Sequence, residues 1–229
     1  MKLILTCEHG GNEIPKKYGS YFKSHQVVLD THRGFDLGAL DVFNYLKPLA
    51  NFEHSSTISR LLIELNRSLH HPNLFSEFTK KLSLSEKNEL ISTHYLPYRN
   101  TVENEIRKYI NQNELVIHLS IHSFTPILNN VERNCDIGLL YDSRLPQEKQ
   151  IATVLKDDIL SKNNDLIVRY NYPYLGKADG FTSYLRTKFA ENYVGIEVEI
   201  NQKYAEKNSM QSDLKTVLFD IFSELFREK

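Results

Sequence analysis

Cysteine is scarce in this chain: Cys7 and Cys135 are the only two among 229 residues. So distant a pair, each inside an apolar run, excludes a disulfide framework and suits buried thiols in a reducing compartment, which makes the cytoplasm the expected location. Also missing is any apolar stretch near the ~20 residues needed to cross a bilayer. The first such run, residues 3–7, is too short for a secretory core and meets Glu8-His9 at once, so a first strand is expected there. Net charge is almost absent, −1 from 28 basic and 29 acidic residues, which leaves no overall pull towards nucleic acid or an anionic membrane. No internal repeat, low-complexity tract or Gly/Ser linker divides the sequence. What is present, 41% hydrophobic and 25% charged residues, has ordinary globular proportions and predicts a single domain over residues 1–229.

Apolar runs without helical periodicity at residues 3–7, 115–121, 135–141, 166–170 and 193–200 read as strands. Periodic stretches at 36–46, 147–160, 182–191 and 213–226 read as helices. Ser83 followed by Glu86 is a capping-box pattern opening a long helix to about Tyr109, with Pro97 predicting a break or kink. Residues 27–29 and 51–57 suggest short extended pieces, and the apolar run 59–65 a further strand. The alternation predicts an α/β fold with a mixed, largely parallel sheet, helices on both faces, and chemistry at the carboxyl ends of the strands. Loops 68–79 and 171–180 are the expected mobile covers.

Polar segments stand at the ends of the apolar runs. His9 and His122 each follow a strand, where neutral imidazoles can hold a metal; catalytic zinc takes a third protein ligand, for which Asp36, Glu13 and Glu8 are candidates. Asp36 is preferred as it lies where a loop enters a helix, although an Asp there serves equally well as a helix N-cap. Glu8, adjacent to His9, better suits a hydrogen bond behind the ligands. His118 shares a face with His122 but lies further inside the strand.

Asn66-Arg67 ends the 59–65 run, and a guanidinium beside an amide can grip a carboxylate. A surface salt bridge is the ordinary alternative. Arg60 can support the same anion, and Arg133 can do so or polarise a scissile carbonyl. Glu197 and Glu199, two apart on a strand, share a face, and one of them can act as general base.

At these residues the chain resembles the N-formylglutamate amidohydrolase family, zinc hydrolases related in fold to carboxypeptidases and aspartoacylase-type amidohydrolases. The resemblance is carried, in order, by Cys7-Glu8-His9-Gly10-Gly11-Asn12, Phe35-Asp36-Leu37-Gly38-Ala39, the Ser59 to Arg67 segment and His122-Ser123-Phe124-Thr125-Pro126. It implies a zinc-peptidase-like fold, Zn2+ held by His9, Asp36 and His122, and carboxylate binding by Asn66 and Arg67. It also implies that Glu199 is the general base. Family members often carry Arg after that Glu-Ile pair, where this chain has Asn201, a departure that bears on the substrate. The expected partner is a small acyl amino acid, N-formyl-L-glutamate first. The alternatives are a metallopeptidase or amidase acting on a larger carboxylate-bearing peptide, and a non-catalytic metal- or ligand-binding relative.

Overall fold

A computed structural model describes residues 1–226. Its centre is a six-stranded sheet in the order β2-β1-β3-β8-β6-β7. The strands are β1 (Lys2–Cys7), β2 (Phe52–Ser55), β3 (Val116–Phe124), β6 (Ile137–Leu140), β7 (Val168–Tyr170) and β8 (Tyr193–Asn201). Pairing is parallel throughout except between β6 and β8. Two small antiparallel ribbons lie outside the sheet, β4 (Ile127–Leu128) with β5 (Val131–Glu132) and β9 (Ala205–Glu206) with β10 (Ser209–Met210).

One face of the sheet packs its aliphatic side chains, such as Leu5, Leu119 and Val198, against α2 (Ala39–Leu46), α5 (Pro146–Lys162) and α7 (Ser212–Phe226). The other face meets α4 (Leu96–Asn111) and α6 (Phe181–Lys188) through Ile4, Val116 and Tyr193. Helices therefore cover both faces, as the alternation predicts. Each fully buried Leu, Ile or Val here contributes roughly 1.5–3 kcal/mol. Cys7 and Cys135 are both buried and free, and among the described residues no helix is long and apolar enough to cross a membrane.

The Ser83 capping box forms in full and opens α3 (Leu84–Leu90). Pro97 breaks nothing: the chain passes through a π-helical turn, Ile91–Tyr95, in which the Leu96 N–H reaches back to the Ile91 carbonyl, and continues as α4 with proline in its first turn. The π-helical turn, one residue wider than the α-helical repeat, carries the chain past the proline, which has no N–H to donate.

Two expected extended pieces differ. Residues 27–29 belong to a short helix, α1 (Gln26–Leu29), because the Val28 and Leu29 N–H groups both close onto the His25 carbonyl. Residues 59–65 are not a strand but buried turns. Ser59 closes them by accepting from the N–H groups of Leu61 and Leu62, while Ser76 and Thr79 donate to the carbonyls of Leu61 and Leu62. Side-chain hydroxyls thus satisfy the backbone that a sheet would otherwise have paired, and the run stays apolar because it is core.

Candidate active site and metal centre

Strand register assembles the site. Pairing of β3 with β8 sets His122 opposite Glu199 and Ser120 opposite Glu197, all near the carboxyl ends of parallel strands. His9 lies just past β1. The Gly10-Gly11 turn that follows runs against the backbone after β2, with the Gly10 N–H donating to the Ser56 carbonyl. A Cβ on Gly11 would stand 2.7 Å from the Thr57 carbonyl oxygen, so only glycine lets the two segments approach this closely. Asp36 is tied to the same edge by its N–H, which donates to the His9 carbonyl at 2.9 Å. Helix α2 begins only at Ala39, after Gly38 at φ 76°, so Asp36 is not its N-cap and its carboxylate is free to face the sheet.

Asp36 Oδ2 lies 2.9 Å from Nδ1 of His122 and 3.3 Å from Nδ1 of His9. The three side chains are buried, and their ligand atoms lie within 4.8 Å of one another. Donors bound to zinc at ~2.0–2.1 Å in a tetrahedral set stand roughly 3.3 Å apart, which the two distances to Asp36 approach. The far nitrogens are occupied: Nε2 of His9 faces Glu64 Oε1, and Nε2 of His122 lies 2.9 Å from the Ser120 hydroxyl and 3.1 Å from Glu8. Carboxylates behind both imidazoles leave the Nδ1 atoms to point at the shared centre.

Charge supports the same fit. Asp36, Glu8, Glu64 and Glu199 are all buried, and the Arg60 guanidinium bonds Glu64 through Nε and Nη2 and Asp36 through Nη1. Burial raises the Asp36 carboxyl, but His9, His122 and Arg60 outweigh it and hold the group far below the usual range. Glu8 behaves likewise: burial pushes it up, while His122 and the Ser120 hydroxyl bring it well down. Glu199 is the contrast. Burial lifts it, His122 opposes, and nearby Asp36 and Glu197 add to the rise, leaving it at about 7. Its Oε2 is buried without a hydrogen-bond partner among the described residues, so this carboxylate has capacity for a ligand. Burial, and for His9 also Arg60, lowers the two imidazoles, but Glu64 and Asp36 beside His9, and Asp36 and Glu8 beside His122, raise both, so the pair is surrounded by carboxylates that suit a cation.

A cavity of about 280 Å³ joins His9, Asp36, Arg60, His122 and Glu199 to Asn66, Arg67, Glu197, Tyr174 and Asp179. Asn66 lines the cavity too, and its Oδ1 accepts from the Phe181 N–H at 2.7 Å. Arg67 donates to the Asp179 carbonyl, and the Asp179 carboxylate accepts from the Ser68 N–H, so the loop 171–180 covers the site and is fastened to the Arg67 turn. Glu197 lines the cavity beside Glu199, its Oε1 accepting from Thr182.

Other expected residues are placed differently. Arg133 is outside the cavity lining; its guanidinium stacks on Phe124 and Tyr174 and donates to the Tyr174 hydroxyl, and Tyr174 does line the cavity. Asn201 is turned inward, donating to the carbonyls of Arg133 and Cys135. Glu13 is exposed and accepts from the Thr57 hydroxyl, away from the imidazoles. His118 is spent on Thr6 and Tyr193 and, driven down by burial to about 4, is neutral. Glu64, which faces His9, is marked in the sequence only as an acid inside an otherwise apolar run.

The N-formylglutamate amidohydrolase family model matches residues 1–205. A gene product of Agrobacterium tumefaciens is similar in structure, with a TM-score of 0.80 and 25% identity over 97% of this chain and 89% of its own. N-formylglutamate amidohydrolase from Ralstonia eutropha shares the fold, with a TM-score of 0.73 and 17% identity over 99% of this chain and 94% of its own. No curated protein sequence matches at a significant level. With the family model spanning most of its length, the chain belongs to the N-formylglutamate amidohydrolase family, hydrolases of an amide C–N bond.

Proposed function

We propose that this amidohydrolase is zinc-dependent and cleaves an N-acyl amino acid, with N-formyl-L-glutamate the leading substrate and formate and L-glutamate the products. The observation that carries the reading is the meeting of His9, Asp36 and His122 with Asn66, Arg67 and Glu199 around one cavity. Its volume, about 280 Å³, suits a ligand of amino-acid size better than a long peptide.

His9, Asp36 and His122 would hold the metal, whose chemistry there would be to polarise the amide carbonyl and acidify the attacking water. Arg67 and the amide donors of Asn66 take the substrate carboxylate, fixing the scissile bond beside Glu199. Near neutrality the raised Glu199 carboxyl can exchange a proton: it accepts one from water as the C–O bond forms and delivers it to nitrogen as the C–N bond breaks. Arg60 stays bonded to Asp36 and Glu64, holding the carboxylates that face the imidazoles. Arg133 acts through Tyr174 on the cavity wall.

Metal analysis with an acyl-amino-acid hydrolysis panel tests this reading. Chelation is expected to abolish formate release from N-formyl-L-glutamate and zinc to restore it. Unchanged turnover after verified metal removal overturns the metal role, and inactivity towards all acyl amino acids overturns the substrate class.

A further inference from the structure

Arg99 takes no part in the hydrolysis described above, yet it is only 4% exposed. Its guanidinium carbon lies 4.9, 4.4 and 4.5 Å from the ring centroids of Tyr95, Phe181 and Tyr184. Nη1 donates to the Leu65 carbonyl at 3.0 Å and to the Arg67 carbonyl at 3.1 Å, the backbone on either side of Asn66. The Tyr95 hydroxyl donates to the same Arg67 carbonyl at 2.7 Å.

We propose that Arg99 and Tyr95 are positioning residues for the Asn66-Arg67 turn, setting the binding of the substrate carboxylate. This rests on the reading of Arg67 given above. The turn belongs to no sheet or helix, so its carbonyls need partners from elsewhere, and this pair supplies them. Tyr95 ends the π-helical turn and Arg99 lies four residues on, so both project from one side of the helix onto the Arg67 carbonyl. The π-helical turn ahead of Pro97 thus contributes to function through Tyr95. The ring cage also closes the arrangement, for Phe181, stacked under Arg99, is the residue whose N–H holds Asn66 Oδ1. A guanidinium suits this place because its planar fork can bond carbonyls while its faces lie on rings, which an ammonium cannot reproduce.

The test uses the full-length, metal-loaded enzyme with N-formyl-L-glutamate and its α-carboxamide analogue. Tyr95→Phe removes one hydroxyl and should raise KM for the carboxylate substrate roughly 3- to 10-fold, as loss of one hydrogen bond allows. Arg99→Lys should raise it ~10-fold or more, since charge-assisted bonds are stronger. In both, kcat, bound metal and KM for the carboxamide should stay near wild type. A fall in kcat matched by an equal change for the carboxamide, or an unchanged KM in both variants, overturns the proposal. Arg67→Ala, run alongside, separates the two ideas. If it abolishes the carboxylate preference while Tyr95→Phe and Arg99→Lys do not, only the positioning role is wrong. If it leaves the preference intact, the reading of Arg67 falls and the positioning role falls with it.

Discussion

The two faces of the central sheet are written by alternate residues of the same strands, and they differ sharply. On one face β1 presents Leu3, Leu5 and Cys7, β3 presents Ile117, Leu119 and Ile121, and β8 presents Val194, Ile196, Val198 and Ile200, all in one apolar core. On the other, the same strands begin apolar, with Ile4, Val116 and Tyr193, and turn polar towards their carboxyl ends. There Thr6, Ser120, His122 and Glu199 are buried, as is Glu8 just beyond β1. A period of two lets a strand carry stability on one side and chemistry on the other. The polar side is kept folded by the core beneath it and by hydrogen bonds that satisfy nearly every buried group, Glu199 Oε2 being the exception at the point of chemistry.

The largest effect is expected on the aliphatic face. Leu119, with no exposed surface, lies in the middle of β3 among buried neighbours. Leu119→Ala should cost ~2–5 kcal/mol of stability through lost burial and the cavity left behind. Denaturant titration reads that loss, and activity per folded molecule should remain near wild type. A comparable loss of turnover in the folded fraction would show that the two faces are not separable.

On the polar face the converse is expected. Glu199→Gln keeps the shape of the side chain and removes the proton acceptor, so turnover should fall ~10²-fold or more. Bound metal and stability should hold, because the carboxylate oxygen at Oε2 has no partner to lose. Near-normal turnover would remove Glu199 from the chemistry, while metal loss would make it a ligand instead of a base.

This contrast also explains what was legible in the sequence. That His122 and Glu199 are neighbours is legible because both lie near the carboxyl ends of apolar strands, where alternation fixes which residues share a face, whereas His9 follows the first such strand directly and is placed by the turn after it. Asp36 stood open against Glu13 and against a capping role, since the choice depends on a loop: the Asp36 N–H bonded to the His9 carbonyl and a helix that starts at Ala39. Residues 59–65 resemble a strand in sequence because burial alone makes a run apolar; the hydroxyls of Ser59, Ser76 and Thr79 that satisfy its backbone lie partly far along the chain. Glu64 and Arg99 carry no signal of their partners in the sequence for the same reason. Their partners, His9 for one and the Leu65 and Arg67 carbonyls for the other, become neighbours only when the helices close over the sheet.

The smallest effect should come from the polar group that touches the proposed metal site only through another residue. Glu8 has no exposed surface; its Oε1 accepts from the Tyr98 hydroxyl at 2.9 Å, and its Oε2 accepts from Ser120 at 2.5 Å and faces His122 Nε2. Glu8→Gln fills the same space and can keep the Tyr98 bond. It loses the negative charge that orients His122 and strengthens its Nδ1 as a donor, so zinc affinity should drop ~10- to 100-fold. At saturating zinc, turnover should then return to near the wild-type value, because Glu8 touches neither the cavity nor the reacting bond. A competitive chelator titration measures the affinity and a zinc-saturated assay measures the recovery. An unchanged affinity would make Glu8 a packing residue, and turnover that zinc cannot restore would mean that the boundary between scaffold and chemistry lies deeper in this face than His122.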